Sequence, residues 1–122
     1  MYSETLLDHF QNPRNAGELP GATAVVELSN PICGDVLKLS ARVQGGRILQ
    51  ARFLCRGCTT AIACASYLTE QITGREFVAA GAISPESLSE ALGGLPPATF
   101  HAAQLAADAL SSLLQKLSRA AR

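Results

Sequence analysis

The chain has 122 residues, with ten Lys+Arg balanced by ten Asp+Glu and a pI near 6.7. That length fits one domain over residues 1–122 and leaves no room for a second core. The charge balance argues against nucleic-acid binding or a polybasic membrane surface as the main business. At 48% apolar and 16% charged residues, the chain is too hydrophobic to be disordered. Twenty alanines and few aromatics predict a core built of small side chains and rich in helix.

In chain order, Thr5 to Phe10 reads as a short amphipathic helix, with Leu6, Leu7 and Phe10 at helical spacing. Asn12-Pro13-Arg14-Asn15 ends it, and Gly17 to Gly21 is loop by composition. Three runs of period two follow. Ala24, Val26 and Leu28 share one face of the first, and Leu37, Leu39, Ala41 and Val43 one face of the second. The third sets Leu49, Ala51, Phe53 and Cys55 against Gln50 and Arg52. Gly45-Gly46 between the second and third runs is a two-residue hairpin signal.

From Thr59 the period turns helical, with Ala61, Ile62, Ala65, Leu68, Thr69 and Ile72 on one stripe and Gly74 as the stop. Arg75 to Ala80 and Ser84 to Leu92 read as shorter helices, the second with Ser84 as N-cap and Pro85 at its first position. After Gly93-Gly94-Leu95-Pro96-Pro97, a last helix is expected from about Ala98 to Arg119. Strands first and helices after predict an α+β fold. It would have a three-stranded antiparallel sheet, helices packed on one face and a long C-terminal helix.

No run approaches the roughly 18 apolar residues of a membrane span, and the first residues lack the pattern of a secretory signal. A cytoplasmic, reducing location is the expectation. There the four cysteines are core residues, metal ligands or reactive thiols rather than disulfides.

Sorting them begins with Cys33-Gly34-Asp35, between the first two strands. Ligands at i and i+2 converge on one metal when the residue between them bends sharply, as glycine permits. The alternative is a polar turn that happens to hold a cysteine. Cys58 opens the long helix, where free N–H groups and the helix dipole are expected to lower its pKa. Cys55 is expected to face the core, since its strand position matches Ala51 and Phe53. A thioredoxin-like reading of Cys55-Arg56-Gly57-Cys58 lacks the βαβ unit it needs.

Cys64 lies six residues beyond Cys58, about 240° around the helix and about 9 Å along it, and reads as core filler. His101 opens the last helix and is either a cap or a ligand, whereas His9 reads as an ordinary helix-face residue. Cys33, Asp35, Cys58 and His101 thus form a possible ligand set. Two thiolates, a carboxylate and an imidazole suit zinc or an iron–sulfur cluster.

Several segments together resemble the IscU and NifU-type iron–sulfur cluster scaffolds. These are Tyr2-Ser3-Glu4, Asp8 through Asn15, Cys33-Gly34-Asp35, Arg52-Phe53, Gly57-Cys58 with Ala61-Ile62-Ala63, and Leu95-Pro96-Pro97 followed by His101. The resemblance implies an α+β scaffold, not an enzyme, on which a labile two-iron two-sulfur cluster is built and passed to recipient apoproteins. A cysteine desulfurase would supply the sulfur. It also implies that Cys33, Asp35, Cys58 and His101 hold the cluster.

Two positions depart from the family pattern. Ala102 stands where the family has a third cysteine, directly after the histidine. Leu95-Pro96-Pro97-Ala98-Thr99 stands where the family's chaperone-docking segment reads Leu-Pro-Pro-Val-Lys, which weakens the case for an Hsp70-type partner. Beside the scaffold reading stand a zinc-binding, SufU-like sulfur acceptor or desulfurase adaptor, and a metal-free interaction domain.

Overall fold

The computed structural model describes residues 2–31 and 34–120, so Ile32 and Cys33 lie outside the described residues. In order, it contains α1 (Glu4–Gln11), β1 (Ala24–Ser29), β2 (Val36–Gln44), β3 (Arg47–Arg56), α2 (Thr59–Ile72), α3 (Phe77–Ala80), α4 (Pro85–Ala91) and α5 (Phe100–Ala120). The strands form one antiparallel sheet in the order β1-β2-β3. α5 lies on β1 and β2, and α2 on β3 and α5; α1 packs on α2 and α4 on α5. This is the α+β arrangement expected from the pattern of periods.

Gly45 and Gly46 both have positive φ (60° and 77°), the two-residue turn whose twist matches a hairpin. Ala24 and Val26 of β1 and Leu37, Leu39 and Ala41 of β2 turn inward as predicted. The predicted inward face of β3 needs one correction. Arg42 pairs with Gln50 but Val43 pairs with Ile48, so Leu49 is an extra residue in the ladder. That bulge reverses the parity: Ile48 is fully buried and Leu49 is 44% exposed.

Both edges of the sheet are met by other parts of the chain. The backbone at Asn15 to Gly17 pairs with Phe53 on the β3 edge, and Lys116 Nζ donates to the carbonyl of Val25 on the β1 edge (2.7 Å).

Two further expectations change. On α1 the inward residues are Leu6 and His9, while Leu7 and Phe10 face outward. His9 is therefore no ordinary surface residue. It is 4% exposed, with Nδ1 2.8 Å from Ser66 Oγ and its ring edge-on to Tyr67. The helix expected from Arg75 is shortened to Phe77–Ala80. The chain before it is tied to the β2–β3 hairpin, with Ile48 N–H donating to Arg75 and Phe77 N–H to Gly46.

α2 is buried almost all round, through Ala61, Ala63, Cys64, Ala65, Ser66 and Leu68. Small side chains there let α1, β3 and α5 approach closely. Among the described residues, no helix is long and apolar enough to cross a membrane.

Candidate metal centre

Three segments meet at one end of the sheet: the loop entering β2, the start of α2 and the start of α5. The loop carries Asp35. It is closed by hydrogen bonds from Asn30 N–H to Asp35 O and from Gly34 N–H to Asn30 O, both 2.8 Å. Gly34 has φ 76°, and the space where a Cβ would stand is open to 4 Å. Glycine is therefore required there for its backbone conformation and not for room.

Cys58 is the N-cap of α2, and its sulfur accepts from the Ala61 N–H (3.4 Å). His101 is the second residue of α5, which starts after the Pro96-Pro97 break. There Thr99 folds back, its N–H and hydroxyl both donating to the Pro96 carbonyl.

The three side chains converge. The ligand atoms of Asp35, Cys58 and His101 all lie within 4.8 Å of one another. The Cys58 thiol donates to Asp35 Oδ2 (3.5 Å), and His101 Nε2 lies 3.9 Å from the same oxygen. Asp35 is only 5% exposed. A carboxylate so placed needs compensation for its lost hydration, which a cation between these three groups would supply. The donor set, one soft thiol, one imidazole and one hard carboxylate, therefore fits a borderline metal such as zinc or iron. Cys33, the fourth ligand expected from the sequence, lies outside the described residues.

The thiols differ. Cys58 does not have the lowered pKa expected of a helix start. Partial burial raises it and the neighbouring Asp35 adds to that, outweighing the N–H groups of Ala61 and Thr60, which pull it down. Metal binding would have to displace this proton. Burial pushes the thiols of Cys55 and Cys64 up to about 12. Cys64 is fully buried in the core and Cys55 packs against it, the places the sequence assigns them. Such a Cys55 is a poor partner for dithiol redox chemistry. Ala102 is 1% exposed and offers no donor atom.

Sequence reasoning missed Gly57. A Cβ built on it would lie 2.8 Å from Asp35 Cγ, so the carboxylate rests against its bare Cα. Two adjacent site segments each containing a glycine were the available signal.

Comparison with known proteins follows the same outline. The family model described as the NifU-like N terminal domain matches residues 1–121. The iron–sulfur cluster assembly scaffold protein IscU 1 of Archaeoglobus fulgidus is 44% identical over 110 residues, 90% of this chain and 72% of that protein. The IscU scaffold protein of Haemophilus influenzae is 38% identical over 117 residues, covering 93% and 92%. A crystal structure of a candidate cluster assembly scaffold for the SUF system, from Fervidobacterium islandicum AW-1, superposes with a TM-score of 0.79. It covers 93% of this chain and 96% of that one at 22% identity, which speaks for the fold alone.

Proposed function

Because the chain belongs to the NifU-like N-terminal domain family, we propose that it is an iron–sulfur cluster assembly scaffold or carrier. Its cargo is a labile two-iron two-sulfur cluster, held by Cys33, Asp35, Cys58 and His101 and passed on to apoproteins. The observation that carries this reading is the meeting of Asp35, Cys58 and His101 within 4.8 Å, from three separate segments of the chain.

Each residue has a part. The thiolates of Cys33 and Cys58 bind iron strongly, and His101 adds a neutral donor. Asp35 supplies a hard oxygen that holds iron less tightly than sulfur does, which keeps the cargo transferable. The site lies at an end of the sheet, where a partner can reach the exposed Cys58. A scaffold of this kind carries a product and turns over no substrate. Its sulfur comes from a cysteine desulfurase, in a reducing compartment such as the cytoplasm. An Hsp70-type chaperone is a weak candidate partner, since Thr99 stands in place of a lysine and turns its hydroxyl back on Pro96.

One observation favours a second reading. Ala102 provides no third thiol, and two Cys, one Asp and one His make a complete tetrahedral zinc set. The protein would then be a zinc-holding, SufU-like sulfur acceptor or desulfurase adaptor.

Iron, zinc and acid-labile sulfide in anaerobically purified protein separate the two. Equal iron and sulfide in the wild type, both absent from Cys58→Ala, is the expected result. Zinc without sulfide, lost in the same variant, would establish the second reading, and metal retained by Cys58→Ala would overturn both.

A further inference from the structure

Gly57 joins β3 to α2, directly ahead of Cys58. Gly57 is not among the glycines with positive φ, so a left-handed backbone is not what calls for glycine here. What excludes a side chain is space. A Cβ at this position would stand 2.8 Å from Asp35 Cγ, 2.9 Å from Oδ1 and 3.1 Å from Asp35 Cβ. Rotation about the Asp35 side-chain bonds leaves its Cβ in place, so full relief of the contact needs a small backbone shift at residue 57 or at residue 35 as well. The other carboxylate oxygen, Oδ2, is the one shared by Cys58 and His101. One oxygen therefore rests on Gly57 while the other faces the two remaining donors.

We propose that Gly57 is a positioning residue for the metal centre: its missing side chain lets the buried Asp35 carboxylate stand beside Cys58 and His101. Gly57 touches no cargo and acts only through Asp35. The proposal rests on reading these three residues as a metal-holding site, and the experiment keeps the two claims apart.

The probe is cobalt(II), titrated into metal-free protein and followed by its thiolate charge-transfer absorption. The proteins are wild type, Gly57→Ala, Asp35→Ala, the double variant and Cys58→Ala. Gly57→Ala should weaken cobalt binding about 10- to 100-fold, the range typical when a group that orients a ligand is lost. In the Asp35→Ala background the same substitution should cost less than about twofold, because no carboxylate is left to displace.

Urea unfolding of the metal-free proteins gives a second reading. Gly57→Ala should lower the midpoint, and Asp35→Ala should recover most of the loss. Equal losses in both backgrounds, or no loss in either, would overturn the role of Gly57, as would a double variant no better folded than Gly57→Ala. Cobalt binding by Cys58→Ala as tight as by wild type would instead sink the metal-site reading itself.

Discussion

Asp35 is the least expected side chain of the site in energetic terms. A carboxylate that keeps only 5% of its exposure would ordinarily be paired with a fixed cation. Here its neighbours are a thiol and an imidazole. A buried carboxylate without a fixed cation is weak support for a fold, and on the proposed reading it would serve a transient metal instead. A single metal ion that needs every donor should bind more weakly without it. A cluster held mainly by thiolates should instead lose only its most exchangeable ligand and last longer. Asp35→Ala is expected to retain a reconstituted cluster several-fold longer, read as decay of visible absorbance after exposure to air or a chelator. Faster decay would mean that the carboxylate anchors the cargo.

The same scale explains why the Cys58 thiol resists deprotonation despite its place at a helix start. Two N–H groups favour the thiolate, but burial and the adjacent carboxylate oppose them more strongly. Helix position was readable in the chain, and Asp35 was a candidate neighbour; how closely its carboxylate presses on the partly buried sulfur was not.

Between elements, the contact of α1 with α2 shows how a polar group can hold a helix pair. Ser66 Oγ accepts from the Arg14 N–H (2.8 Å) and contacts His9 Nδ1 at the same distance. Around the ring stand Tyr67, Glu70 (3.6 Å from Nε2), Arg14 and Asp8. Burial, with help from Arg14, lowers the His9 pKa, although Glu70 and Asp8 oppose the shift. The sign follows: below the ordinary value of 6.5 the unfolded chain takes up the proton first, so stability falls with pH in that range. The unfolding midpoint in urea should drop between about pH 6.5 and pH 5. His9→Asn, which keeps a partner for Ser66 but does not titrate, should flatten that drop. An unchanged slope would place the titrating group elsewhere.

This clasp was not legible in the sequence. His9 sits one turn from Thr5 on a short helix, and nothing in the local pattern reveals that Ser66, 57 residues on, will face it. The bulge at Leu49 escaped for a related reason. A single extra residue reverses strand parity, and the pattern Ile48-Leu49 is apolar either way.

Across the molecule, the site joins parts of the chain far apart in sequence: residue 35, residue 58 and residue 101. Their approach depends on the apolar packing of α5 and α2 against the sheet, with Leu68, Ile72, Leu110 and Leu113 among the fully buried side chains. A metal that bridges these three segments binds the folded state and has no equivalent site in the unfolded one. Zinc at about 100 times its dissociation constant should therefore stabilise the wild type by about 2.7 kcal/mol. Cys58→Ala should show no such gain, as measured by chemical denaturation with and without zinc. Equal stabilisation of both would point to adventitious binding.

The sequence by itself determined the α+β class, the strand and helix order, the Gly45-Gly46 turn and the inward faces of β1 and β2. These rest on local periods of two and 3.6 and on turn chemistry, which short segments carry unaided. It also marked Asp35, Cys58 and His101 as possible partners by residue type and by their places next to breaks. Whether they meet, how deeply the carboxylate is buried, what Gly57 is for and which residue His9 faces were decided only by tertiary structure. Those properties depend on distances between distant segments, and such distances are set by the packing of the whole core rather than by any one stretch of chain.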